Sequence, residues 1–300
     1  MNLDIAAMQA FSGLSLFAIL LLMVLGLALV FGTMGIINMA HGELMTMGAY
    51  VTYLTSEIFQ RYLPGLMDVY IFVAIPLAFI VTFLFGWIIE RGLIRWLYNR
   101  PLDTLLATWG LSLILQQAYR SIFGPREVTV PLVSWLSGAW QPTSAIQLPM
   151  NRIFILALTT VVCIGVFALM FRTRWGLRVR AVTQNRAMSG AAGINTKRVD
   201  IMTFAFGCGL AGIAGCAFTM VGSTSPGAGQ LYIVDAFIIV VFGGVQSLLG
   251  TVLSAFTLAQ SQTALEYFLS GSAAKAAILV LVIVVLYFKP SGLFTVKARG

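Results

Sequence analysis

The sequence predicts an all-α, polytopic transmembrane helix bundle of eight or nine spans, and three observations predict it. Hydrophobic residues make up 59% of the 300-residue chain and charged residues 9%, with a mean hydropathy of +0.95. Apolar runs of about 20 residues, enough for a helix to cross a bilayer, recur from one end to the other. No stretch between them is long and polar enough for a soluble domain, so residues 1–300 read as a single transmembrane domain.

The first run covers roughly 9–31 and leads into FGTMGIINMAHGELMTMGAY (31–50), where Asn38, the single histidine His41 and Glu43 interrupt apolar sequence. Runs two to six follow at roughly 44–60, 69–89, 104–123, 153–171 and 201–221. The seventh, roughly 232–246, is short for a spanning helix and stops at Gly243-Gly244, which suits a half-helix or a tilted one. The last two lie at roughly 251–269 and 275–289. The glycine-rich breaks at 31–42 and 242–250 could mark discontinuous helices related by an internal inverted repeat. Gly207, Ala211 and Gly215 recur every four residues on the sixth run, a small-residue ridge for close helix packing.

Charge sets the expected orientation, because short loops rich in Lys and Arg stay cytoplasmic. Thirteen of the 18 basic residues fall in three groups: Arg91, Arg95 and Arg100; Arg172 to Arg198; and Lys289, Lys297 and Arg299 in the tail. A nine-span count from an outside N-terminus places all three groups on the cytoplasmic face, with the C-terminus. Residues 1–10 carry Asp4 and no Lys or Arg, so no charged n-region of a signal peptide is present. The formal net charge of +8 is thus topological, and nucleic acid is not an expected partner. Cys163, Cys208 and Cys216 lie within apolar runs and read as packing residues, and one His with no cysteine pair at ligand spacing gives no metal site.

Two segments lie outside the runs. Residues 124–152 hold four prolines and two tryptophans and read as an outer-surface excursion with interfacial aromatics, either a docking surface or a lid packed on the bundle. Residues 172–200 form a basic loop, with a helix expected over 177–192 and a stop at Gly193. Its alanines, Ala187 among them, would dock into a groove on a cytoplasmic partner, or the basic helix would lie on anionic headgroups.

Polar residues inside the runs fall into stripes. Asn38, His41, Met45, Gly48 and Thr52 share one face if the segment is helical throughout. Thr104, Thr108, Ser112 and Gln116 repeat every four residues on the fourth run, with Gln117 and Arg120 beyond. Ser254, Thr257 and Ser261 form a third stripe, joined by Gln260 and Gln262. Hydroxyls and amides both donate and accept, which suits a small neutral polar solute, or else bonds between helices worth about 1 kcal/mol each. Of the ionisable groups, Glu43, Asp235, Glu90 and Glu266 lie near run ends within reach of water or headgroups. Glu43 and Asp235 read as structural pairing or helix-end residues, with Gly243 and Gly244 as structural or gating glycines. Stacked carboxylates for a proton relay are absent, and so are the constellations of an enzyme.

The segment GLALVFGTMGIINMAHGELMTMGAY (26–50) resembles the signature of the permeases of branched-chain amino-acid ABC importers. RAVTQNRAMSGAAGI (180–194), YIVDAFIIVVFGGVQSLLGT (232–251) and FKPSGLF (288–294) resemble further motifs of that family, and Gln246 stands where glycine is more usual. RPLDTLLATWGLSLILQQAYRSIFG (100–124) resembles the family's urea-transporter branch.

The resemblance implies a bacterial inner-membrane, multi-pass permease. Its partners would be a second homologous permease in a heterodimer, two cytoplasmic ATPases carrying ATP and Mg, and an outside substrate-binding protein. Arg180, Asn185, Arg186, Ala187 and Gly193 would couple to an ATPase, and 172–200 would be the coupling loop. This agrees with the lack of a phosphate-binding loop, since none of the four lysines follows a glycine. The chain would hold no cofactor and would not itself be an enzyme. It would import urea by alternating access, along Asn38, His41, Thr108, Ser112, Gln116 and Thr257. A branched-chain amino-acid permease is the alternative, and a passive urea channel the reading from a different class.

Overall fold

The structure is a computed structural model, and it describes residues 3–98, 100–143, 146–245, 247–290 and 292–294. Helices account for most of it. They are α1 (Leu3–Met34), α2 (His41–Tyr62), α3 (Tyr70–Gly92), α4 (Pro101–Phe123), α5 (Met150–Arg172), α6 (Arg174–Gln184), α7 (Arg186–Ala191), α8 (Thr196–Thr219), α9 (Ala228–Gly243), α10 (Leu248–Glu266) and α11 (Gly271–Phe288). Each of the nine apolar runs coincides with a helix, and α6 and α7 fill the basic loop. Among the described residues, five helical stretches are long and apolar enough to cross a membrane on length and composition, four in α1, α5, α8 and α11 and one, Pro64–Trp96, that contains α3; α9 is apolar but shorter. The runs that became α2, α4 and α10 are more polar, and many of their polar side chains are buried in the bundle.

The centre is built from α1 and α8, buried along most of their length, with α2 and α3 packed on α8 and α10 on α1. The glycine ridge of α8 makes this possible: a methyl group on Gly207 would lie 2.7 Å from the Gly26 carbonyl oxygen of α1, and one on Gly212 would lie 2.6 Å from the Ala78 oxygen of α3. Exposed faces of α3, α5 and α11 carry Leu84, Ile88, Val161, Ile164, Val280 and Ile283, as expected of helices whose other side meets lipid. Cys208 and Cys216 are buried and Cys163 half-buried, all unpaired, in keeping with packing roles.

Both glycine-rich breaks are present. Gly35 (φ 65°) ends α1, and Gly244 (φ 94°) ends α9, each in the left-handed region that glycine enters without a Cβ clash. Gln246 lies outside the described residues, as do Ser291 of the FKPSGLF tail and the tail bases Lys297 and Arg299.

Two expectations need correction. Asn38 does not share a helix with His41: it sits in the irregular stretch between Gly35 and Ala40, and α2 begins at His41. Nor is 177–192 one helix. The chain turns at Asn185 (φ −153°, ψ 100°), whose side chain accepts the Met188 N–H at 3.0 Å and caps α7. Asparagine competes for local backbone bonds and favours such caps over a helix interior. Gly193 does end the segment, at φ 82°.

The 124–152 segment packs on the bundle. It contains a two-stranded hairpin, β1 (Ala139–Thr143) and β2 (Ile146–Pro149). Trp135 donates its indole N–H to the Asp68 carbonyl at 2.9 Å and stacks on Phe72 at 5.7 Å, and Tyr70 donates to the Pro131 oxygen at 2.8 Å. Trp140 stays exposed.

Candidate functional site

The densest buried polar cluster joins α4 to the break between α1 and α2. Thr104, Thr108, Ser112 and Gln116 are all buried on one face of α4, as their four-residue spacing requires, while Leu102, Leu106, Leu113 and Ile114 on its other faces are exposed. The Thr108 hydroxyl accepts the Met39 N–H at 3.1 Å and lies 3.4 Å from the Ile37 carbonyl oxygen. It thereby serves a backbone stretch that no helix satisfies. Asn38 is buried beside it, its Oδ1 accepting the Ala40 N–H at 3.1 Å. One turn further along α4, Ser112 and Gln116 both donate to Glu43 Oε1, at 3.2 and 2.8 Å. Tyr119 donates to the Glu43 carbonyl at 2.9 Å.

Glu43 is the unusual member. It lies at a helix end as expected, but it is 1% exposed, so the expected reach of water or a headgroup is not met. Its position in the first turn of α2 sets the carboxylate near the positive end of the helix dipole. Its second oxygen has no partner among the described residues. The same is true of the Tyr50 hydroxyl and of His41 Nδ1. His41 Nε2 lies 3.1 Å from the Met23 carbonyl, a contact that requires a proton on Nε2 and ties α2 to α1. A buried carboxylate with one oxygen held and the other without a partner among the described residues, next to amide and hydroxyl donors, keeps acceptor capacity in reserve.

Thr104 bonds its hydroxyl toward the Leu97 and Arg100 carbonyls and serves the start of α4. Thr257 stands apart from the cluster: it is exposed on α10 and donates to the Leu253 carbonyl in its own helix. Of that third stripe, Ser254 is buried, and Gln260 reaches the Ala10 carbonyl of α1 at 3.2 Å as an interhelical bond. Asp235 pairs with Lys275 at 2.8 Å, joining α9 to α11. Gly243 packs against the Gly250 backbone and Gly244 beside Gly292, so both serve close approach at this turn.

In the basic loop, Arg180 lies over the Phe171 ring at 5.0 Å, and Ala187 and Gly193 are exposed. Arg186 forms an ion pair with Asp200, which is buried at the start of α8, and also lies over the Tyr98 ring at 5.5 Å. Tyr98 in turn donates to Glu90 at the end of α3. The sequence singled out Arg186 and Glu90 separately but not Tyr98, Asp200 or the connection between the four, and not Tyr119. Tyr119 had a signal, since 112, 116 and 119 continue a helical stripe; the Arg186–Asp200 pair had none, because the turn at Asn185 creates it.

The sequence model of a family described as the permease component of the branched-chain amino acid transport system matches residues 9–287. The chain belongs to that family. It is 29% identical to the high-affinity branched-chain amino acid transport system permease protein LivH of Salmonella typhimurium, over 95% of this chain and 94% of that one. With the corresponding protein BraD of Pseudomonas aeruginosa the identity is 28%, again over 95% and 94%. A probable branched-chain amino acid transport permease LivH of Methanocaldococcus jannaschii is 25% identical over 85% and 79%. No solved structure matches the chain. These three relatives are described as amino-acid permeases, so the urea reading is carried by residues 100–124 alone.

Proposed function

We propose that this permease is the membrane subunit of an ATP-driven importer of branched-chain amino acids in the bacterial inner membrane. The observation that carries it is likeness to amino-acid permeases along nearly the whole of both chains. The nine apolar runs then each cross or enter the bilayer, with the basic loop and the C-terminus in the cytoplasm, as the positive-inside rule requires. The α6–α7 loop faces two ATPases that hold ATP and Mg. A second homologous permease completes the pore, and an outside binding protein delivers the substrate near the 124–152 segment.

The route we assign runs along Asn38, Thr108, Ser112 and Gln116 to Glu43, whose open oxygen would receive the substrate ammonium. α4 meets the break mainly through hydrogen bonds, and a helix held this way can change partners at small cost, as alternating access requires. His41 fixes α2 against α1, and Thr257, on an exposed face, would serve contact with lipid or the second permease. Breaking the Arg186–Asp200 pair would couple the ATPases to α3 and α4 through Tyr98 and Glu90.

Urea is the second reading, favoured by one observation: residues 100–124, which resemble the urea-transporter branch, supply Thr108, Ser112 and Gln116 to the cluster. The two are separated by competition. In vesicles holding the complete transporter, excess unlabelled isoleucine should suppress uptake of labelled leucine and excess urea should not. The reverse pattern for labelled urea would move the assignment to urea.

A further inference from the structure

A second site lies away from the Glu43 cluster, in part within the basic loop that the proposed function turns toward the ATPases. A cavity of about 1240 Å³ opens between the end of α3, the start of α6 and the start of α8. It is larger than the ~300–1,000 Å³ typical of a small-molecule pocket. Arg91, Arg95, Arg178, Lys197 and Arg198 line it, all exposed, and none forms an ion pair among the described residues. Glu90 is the only carboxylate in the wall, and one of its oxygens is taken by the Tyr98 hydroxyl. The cavity therefore carries a strong uncompensated positive charge.

Its walls are also aromatic. Trp87, Trp96 and Trp175 line it, with Arg91 lying over Trp87 at 4.7 Å and Arg95 over Trp96 at 5.2 Å, so two guanidinium groups are held in place by neighbouring rings. The Trp175 indole N–H is buried and has no partner, a donor without an acceptor in the wall. Its wall includes the exposed Met202, and within one helical turn of Trp87 on α3 stand the exposed Leu84 and Ile88. Tryptophan and arginine at the end of a membrane helix, beside a lipid-facing apolar strip, match the boundary between headgroups and acyl chains.

We propose that this cavity seats an anionic glycerophospholipid, its headgroup phosphodiester among the five basic side chains and its acyl chains along Leu84 and Ile88 of α3. A free anion would need the charge but not the apolar strip. The bound lipid would join the end of α3 to the start of α8, next to the Glu90, Tyr98 and Asp200 chain.

The test is lipid binding to the purified, delipidated full-length chain, followed by native mass spectrometry. The probes are dioleoyl-phosphatidylglycerol, dioleoyl-phosphatidylcholine and inorganic phosphate. Phosphatidylglycerol should bind at least tenfold more tightly than phosphatidylcholine. Arg91→Gln combined with Arg198→Gln should weaken it at least tenfold, and Arg91→Lys with Arg198→Lys, which keeps the charge and reports on folding, should largely preserve it. Arg61→Gln with Arg126→Gln, far from the cavity in the chain, should change nothing. Equal binding of both lipids, indifference to the cavity substitutions, or displacement of the lipid by millimolar phosphate would overturn the proposal. So would expulsion of the lipid when the ATPases assemble, which would give the cavity to a protein partner.

Discussion

Gln116 of α4 donates its side-chain N–H to Glu43 Oε1 of α2 at 2.8 Å, and the second carboxylate oxygen has no partner among the described residues. This half-satisfied carboxylate, buried where α4 meets the break after α1, is one place where the fold leaves hydrogen-bonding capacity in reserve, as Glu90 and Asp200 also do. Buried polar groups are normally paired, so an unpaired carboxylate oxygen makes Glu43 the residue to test first.

Glu43→Ala should therefore act on stability and transport together. It strands the Ser112 and Gln116 donors at a cost of about 1–3 kcal/mol, to be read as a lowered unfolding midpoint in detergent. Glu43→Gln keeps a carbonyl acceptor for the same donors and should retain most of that stability, yet reduce leucine uptake at least tenfold. Undiminished uptake by the Gln variant would remove the carboxylate from the route.

Thr108→Val should cost about 1–2 kcal/mol, because the Met39 N–H loses its only acceptor while the volume stays the same. Thr108→Ser should restore stability and uptake. Equal midpoints for all three proteins would mean that the hydroxyl does not hold α4 to the break.

The Arg186–Asp200 pair is lopsided, since Asp200 is 1% exposed and Arg186 46%. Removing the arginine leaves a buried charge behind, so Arg186→Gln should destabilise more than Asp200→Asn. A double-mutant cycle should give a coupling of about 1–3 kcal/mol. Both single variants should hydrolyse ATP in the assembled transporter with uptake uncoupled, and normal coupling would confine the pair to a structural role.

Close packing gives a contrast between two glycines. A Cβ on Gly212 would press on Ala78 and Thr82 of α3, so Gly212→Ala should cost about 1–3 kcal/mol. Gly190 on α7 has nothing near its missing side chain, and Gly190→Ala should be neutral or stabilising by up to about 1 kcal/mol. Thermal unfolding of the two purified variants reads both.

The sequence carried the helices because apolar length is a local property, and it carried the α4 stripe because a four-residue period of hydroxyls and amides can only face inward. Three features needed the fold. The turn at Asn185 depends on a cap that outcompeted helix continuation, and only that turn brings Arg186 to Asp200. Asn38 left the expected helical face because Gly35 ends α1 with a positive φ, after which five residues pass before α2 begins. Thr257 shares a periodic stripe with Ser254, but the stripe runs along the edge of the buried face of α10, so one hydroxyl is inside and the other outside.

On the reading proposed above, this permease passes branched-chain amino acids only as part of an ATP-driven assembly. The most direct measurement is uptake of labelled leucine into proteoliposomes holding this chain alone, and then holding it with its second permease, ATPases and binding protein. Uptake in the full set alone, and only with ATP, is the predicted result. Leucine entry through the chain alone, or ATP-driven entry of urea and not leucine in the full set, would contradict it.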